Sequence, residues 1–303
     1  MRTTSRALAI LASLLLVPTA AAASSMVPSA GCDGSSIDPG VHPSSTLRVG
    51  DLDRTWAMYV PEAHDGTNPV PVWLQLHGCC GGSGLEQVDV LGRAAEEHDF
   101  LLVGPDSWFG DGDWTYESTT EVIDASDSNP DVAFIDALID HLGTELCIDL
   151  ARVYVAGYSS GGDGTSVLAC TLEDRIAAVA PVASILDMDG VCDLQRPVPL
   201  LAVHGRGDDI VYLDGGLAPF LNDWPVLQAM AQDSVPDRVS SFALRNGCVT
   251  QPSIVANEDG MERWDWTCPS GAEVGLVVHE GGHDWPVAID LIWDFFRQHP
   301  MPE

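Results

Sequence analysis

Lysine is absent from this chain of 303 residues: all 13 basic residues are arginines, set against 45 acidic ones, for a formal charge of −32. Such a field repels phosphate backbones, which argues against nucleic acid as a partner, and it favours solubility in a saline or extracellular medium. No apolar run reaches the about 20 residues that cross a bilayer, so stable membrane insertion is not expected. There is no Pro/Ser/Gly-rich linker, internal repeat or low-complexity tract, which favours one domain over two. The cysteines show neither zinc spacing nor a CxxC pair, and Asp111-Gly112-Asp113 lacks the spacing of a calcium loop. Neither a metal nor a cofactor is expected, and the chain is expected to be a monomer.

What is present begins with a leader. Two arginines, Arg2 and Arg6, precede an apolar run at 7–17 and the small residues Ala20 to Ala23. That order is a secretory signal peptide, with cleavage expected near Ala23 and a secreted, extracellular product. Residues 24–45 read as an irregular N-terminal segment and 46–303 as the catalytic domain. Eight cysteines in an exported chain point to disulfides. Roughly a hundred pairings are possible. Sequence order suggests Cys170 with Cys192 and Cys248 with Cys268, leaving Cys32, Cys79, Cys80 and Cys147 for two further bridges.

Short apolar runs at 56–60, 70–76, 100–103, 152–156, 177–182, 200–203 and 274–278 read as strands covered on both faces. Helical spacing occupies 85–97, 131–146, 161–172 and 287–297. In the second of these, Val132, Ile135, Leu138, Ile139 and Leu142 share one face, away from Asp136, Asp140 and Glu145. Strand and helix in alternation predict an α/β fold with a mostly parallel central sheet and helices on both faces. Ligands on such sheets gather at the carboxyl ends of the strands.

The chemistry-bearing motifs all follow strands. Gly157-Tyr158-Ser159-Ser160-Gly161 lies between a strand and a helix, the order of a nucleophile elbow that exposes Ser159 at the helix N-terminus. A serine hydroxyl needs a base, and in this fold class the histidine follows the last strand. His283, in Gly281-Gly282-His283-Asp284-Trp285-Pro286, has that position; His77 and His204 sit in His-Gly pairs suited to bracing loops, and His299 is at the tail. An acid should stand between nucleophile and base, and the loop after 200–203 carries both Asp208 and Asp209. Backbone donors for an oxyanion are expected at Ser160, after the nucleophile, and at Cys79, in the loop after an early strand; a disulfide there would hold that loop rigid. Trp108 and Trp114 lie in a Gly/Asp-rich loop, either against an acyl group or polymer chain or in ordinary loop packing. Tyr158 and Trp285, beside the nucleophile and the base, complete the substrate-binding candidates.

These motifs in this order resemble the secreted α/β-hydrolase esterases that include feruloyl esterases and polyhydroxybutyrate-depolymerase-like enzymes. Beyond Gly-Tyr-Ser-Ser-Gly, the segments Leu76-His77-Gly78-Cys79, Asp131-Val132-Ala133-Phe134, Leu146-Cys147-Ile148-Asp149, His204-Gly205-Arg206-Gly207-Asp208 and Asn246-Gly247-Cys248 fit. The resemblance covers nearly the whole chain after the leader and implies a triad of Ser159, Asp208 and His283, the acid chosen by the family's register. Two departures are the doubled Cys79-Cys80 and a longer segment, 215–239, expected to form part of a substrate-facing cap. The resemblance implies an acyl-enzyme mechanism on an ester, polymeric in the cell-wall or polyester cases. Feruloyl-type hydrolysis of plant cell-wall esters is the first reading and polyester depolymerisation the second. A serine peptidase with the same triad and a non-catalytic binding protein on the same scaffold remain the readings from other classes.

Overall fold

A computed structural model describes residues 26–34, 37–108, 114, 126, 129–191, 193–221, 233–256, 260–285 and 289–302. The leader therefore lies outside the described residues, as do Asp111, Asp113 and Cys192.

Ten strands form one sheet: β1 (Gly40–Val49), β2 (Leu52–Val60), β3 (Val70–Leu76), β4 (Leu101–Pro105), β5 (Ile148–Tyr158), β6 (Ala178–Val182), β7 (Leu200–Gly205), β8 (Ser253–Ala256), β9 (Glu262–Trp266) and β10 (Val274–His279). Their order is β1-β2-β4-β3-β5-β6-β7-β10-β9-β8. The run β4-β3-β5-β6-β7-β10 is parallel, and antiparallel strands extend it at both ends. Every residue of β3, β4, β6 and β7 is buried, which is why they read as continuous apolar runs. Regular structure begins at Gly40, inside the stretch expected to be irregular through residue 45.

Helices α1 (Gly84–His98) and α5 (Ile289–Phe296) pack on one face through Val88, Leu91, Ile292 and Trp293. Helices α2 (Pro130–Glu145), α3 (Ser160–Thr171) and α4 (Val235–Arg245) pack on the other through Val132, Ile135, Val167, Val239 and Phe242. The starts of α1, α2 and α4 are set chemically: Ser83, Asn129 and Ser234 each accept backbone N–H bonds at the cap, worth about 1 kcal/mol apiece. The segment 215–239 is not all cap. Val235 and Val239 belong to α4 and are fully buried, because an amphipathic helix must cover its apolar stripe, while 222–232 lie outside the described residues.

Cys32 pairs with Cys147, and Cys248 pairs with Cys268 as sequence order suggests. The first of these pins the N-terminal segment to the end of α2, where Ser29 Oγ also donates to Leu146 O at 2.7 Å. A third bridge among the described residues joins the neighbours Cys79 and Cys80. The expected Cys170–Cys192 pair involves a residue outside those described.

The registers Leu76↔Gly157 and Val278↔His204 bring the carboxyl ends of β3, β5, β7 and β10 to one edge. All the candidate residues follow from that edge.

Candidate active site

Strand β5 ends at Tyr158 and α3 begins at Ser160, so Ser159 must reverse the chain within one residue. It does so at φ 54°, ψ −120°, a region side chains rarely occupy. Glycine on both sides is a steric requirement: a Cβ on Gly157 would lie 2.0 Å from Gly161 O, and one on Gly161 would lie 2.5 Å from Leu76 O. Ser159 N–H donates to Val182 O at 2.9 Å, and Ser159 O accepts from Gly162 N–H at 2.8 Å. The backbone is locked while the hydroxyl faces outward.

His283, in the loop after β10, places Nε2 2.9 Å from Ser159 Oγ and Nδ1 2.8 Å from Asp208 Oδ2. Asp208 follows β7 and is buried, and its Oδ1 accepts the N–H groups of Ile210 at 2.9 Å and Val211 at 2.8 Å. Burial opposes the charge on Asp208, yet the bond from His283 and the two amides together hold its carboxyl below the ordinary value. An ionised Asp208 accepts the hydrogen bond donated by His283 Nδ1–H, leaving the Nε2 lone pair toward the serine hydroxyl. Asp209 is exposed, and of the two neighbouring carboxylates it is Asp208 that meets His283. His204 is also near, Nε2 lying 3.4 Å from Asp208 Oδ2. Burial pushes its imidazole down to about 4, so it is neutral and donates Nε2–H to Val211 O at 2.9 Å, the loop-bracing role expected of it.

The loop after β3 lies against Ser159: a Cβ on Gly78 would sit 3.4 Å from Ser159 Cβ and 3.1 Å from the Tyr158 ring. His77 anchors the base of this loop, donating Nδ1–H to Gly78 O at 2.8 Å and accepting Ser107 N–H on Nε2 at 3.1 Å. Cys79 follows Gly78 directly, and Ser160 opens α3 on the other flank of Ser159.

The aromatic candidates divide. Trp114 is 1% exposed, donates Nε1–H to His77 O at 3.0 Å and packs its ring 4.9 Å from that imidazole. It supports the loop from beneath and has no surface for a substrate, a correction to its place among the binding candidates. Tyr158 donates its hydroxyl to His283 O at 2.9 Å, and burial, with Asp208 and Asp284, pushes that hydroxyl up to about 12. It remains a neutral donor and braces the histidine loop. Trp285 meets Tyr158 edge-on at 6.1 Å, and Trp108 is half-buried with its backbone N–H on Asp131 Oδ1 at 3.1 Å.

Sequence reasoning missed a buried polar group in the helix that follows Ser159. Asp163, in the first turn of α3, is buried and accepts the Ser184 hydroxyl at 2.6 Å, and burial pushes its carboxyl up to about 7. The buried Arg238 of α4 contributes its field there and donates to Ile185 O and Asp233 O. The available signal was one carboxylate in an otherwise small and apolar helix. Among the described residues no group of three or more His, Cys, Asp or Glu could hold a metal, and no helix is long and apolar enough to cross a membrane.

No family model matches the chain. Feruloyl esterase B of Piromyces equi is 31% identical over 176 residues, 57% of this chain and 32% of that protein, so the chain spans about a third of that relative's length. Feruloyl esterase C of Emericella nidulans is 25% identical over 303 residues, covering 93% of this chain and 97% of that protein. An acetyl xylan esterase from Aspergillus awamori superposes with a TM-score of 0.59 at 18% identity, over 84% of this chain and 98% of the other. That last likeness carries the fold alone.

Proposed function

We propose that this chain, an α/β-hydrolase and a feruloyl-esterase-like carboxylic ester hydrolase, works through an acyl-enzyme on Ser159 and acts on hydroxycinnamoyl esters of plant cell-wall polysaccharides. The observation that carries the mechanism is the continuous hydrogen-bonded line from Asp208 through His283 to Ser159, at 2.8 and 2.9 Å.

Each step follows from these atoms. Ser159 Oγ attacks the ester carbonyl while its proton passes to His283 Nε2. Asp208, already ionised and held by two amides, stabilises the imidazolium and fixes its orientation. The carbonyl oxygen gains charge and is met by the N–H groups of Cys79 and Ser160, where preorganised donors are worth about 10²–10³ in rate. His283 returns the proton to the departing alcohol oxygen. A water then enters; its oxygen attacks the acyl carbon as His283 takes its proton, the C–Oγ bond breaks, and His283 returns the proton to Ser159 Oγ as the acid leaves.

The substrate class rests on the two feruloyl esterases to which the chain is similar. Residues 1–23 act in this reading as a leader for export, consistent with the disulfides of the folded domain. Parallel assays on methyl ferulate, a short p-nitrophenyl ester and polyhydroxybutyrate film test the substrate. Release of ferulate with a kcat/KM above that for the other two is expected. Hydrolysis of the short ester alone removes the cell-wall assignment, and film clearing without ferulate release replaces it with polyester depolymerisation.

A further inference from the structure

We propose that the disulfide between the adjacent residues Cys79 and Cys80 is a positioning element of the oxyanion site, so that turnover depends on its being oxidised; this rests on the reading of Cys79 N–H as an oxyanion donor. The pair closes a small ring through the peptide bond that joins the two residues. On one side of it Gly78 lies against Ser159 and Tyr158. On the other the chain folds back on itself, so that a Cβ on Gly82 would lie 2.5 Å from Gly78 O and 3.0 Å from His77 Nδ1. Both ends of the loop are thus fixed close together, and only residues 79–81 join them.

That short span takes two successive left-handed residues, Cys80 at φ 67° and Gly81 at φ 102°. Glycine accepts this region freely and cysteine does not. Packing does not hold Cys80 there, because it is exposed. The ring does: it couples ψ of Cys79 to φ of Cys80 and fixes the peptide plane between them. Because the chain is back against Gly78 by Gly82, holding that plane limits the rotation about the N–Cα bond of Cys79 that would re-aim its N–H. The base of the loop is rigid through His77 and Trp114, whereas its apex is ordered by the sulfur–sulfur bond.

Exposure also makes this bond accessible. A dithiol attacks one sulfur to give a mixed disulfide, and its second thiol then closes the reductant's own disulfide. The reductant loses two electrons and two protons, and Cys79 and Cys80 leave as thiols. Cys147 and Cys248, members of the two other described bridges, are buried.

The test compares wild type, Cys79→Ser/Cys80→Ser and Ser159→Ala on a p-nitrophenyl ester, with and without brief dithiothreitol treatment. Alkylation and peptide mapping report which thiols form, and circular dichroism reports folding. Misplacing rather than deleting a donor is expected to lower kcat about 10- to 100-fold with KM changed by less than about threefold. Affinity for a trifluoromethyl ketone, which forms an oxyanion on the serine, should fall in step with kcat. A non-reactive methyl ketone should bind unchanged, a split that a merely structural role would not produce. The double variant should show the loss without reductant and no further response to it. Wild type in which only Cys79 and Cys80 have been reduced should match it, which keeps the proposal testable if the variant fails to fold. Full activity in either form, a loss confined to KM, or an equal response of the double variant to reductant overturns the proposal. Activity in Ser159→Ala would instead overturn the nucleophile assignment on which it stands.

Discussion

Replacing Asp208 with Asn preserves its size and two of its three hydrogen bonds, which makes the third measurable. Oδ1 would keep the N–H groups of Ile210 and Val211, leaving the amide NH2 where Oδ2 now accepts the Nδ1 proton of His283. Two donors cannot face each other, so the imidazole must present the Nδ1 lone pair and carry its proton on Nε2, 2.9 Å from Ser159 Oγ. A protonated Nε2 cannot take the serine proton, and the imidazolium loses its buried counter-charge. The expected loss is about 10⁴ in kcat, or about 5.5 kcal/mol of transition-state stabilisation, with KM little changed. Initial rates on p-nitrophenyl butyrate, with the concentration of folded protein measured independently, read it out. The exposed Asp209→Asn serves as the control and should stay within about twofold of wild type. A kcat for Asp208→Asn above about a tenth of wild type, or a larger loss in Asp209→Asn, would refute the reasoning.

Other consequences concern stability and pH. The Asp208 carboxyl lies below its ordinary value, so its stabilisation is present above the unfolded pKa and is lost as pH falls through the folded one. Asp208→Asn should therefore flatten the acid limb of the stability curve measured by urea unfolding. Asp163 has the opposite sign: burial raises it to about 7, so its contribution is greatest below the unfolded pKa and is lost as pH rises through the folded value. Asp163→Asn, which keeps an acceptor for Ser184, should gain in Tm relative to wild type between about pH 4 and pH 8, and a difference that is flat or falls with pH would contradict this. Cys32→Ser/Cys147→Ser opens a loop of sequence separation 115 and should cost about 2–5 kcal/mol in denaturant unfolding while leaving kcat unchanged.

The parallel strands are legible in the sequence because burial on both faces leaves unbroken apolar runs, as in Val70–Leu76 and Leu200–Gly205. The edge strands are not. Ser253–Ala256 is exposed throughout, and Glu262–Trp266 alternates charge with tryptophan because it pairs at the margin of the sheet, where Arg263 meets Asp265 and Glu273. Chain order after strands pointed to Ser159 and His283, whereas spacing left Asp208 and Asp209 open and only the register of the resemblance chose Asp208, the carboxylate that meets His283. Composition left Trp114 open between substrate contact and loop packing, and the ring is packed against His77. The Asp163–Ser184 contact and the Cys79–Cys80 bond join residues by three-dimensional proximity or by one choice among many pairings, and no periodicity announces either.

The central claim is that Ser159 is the atom-donating nucleophile of an ester hydrolase. It is tested most directly by reacting the folded protein with a fluorophosphonate and mapping the adduct by peptide mass spectrometry, alongside hydrolysis rates for Ser159→Ala. A single adduct on the peptide carrying Ser159, stoichiometric with lost activity, and no measurable turnover in Ser159→Ala is the predicted result. An adduct on any other residue, or wild-type turnover in Ser159→Ala, would contradict it.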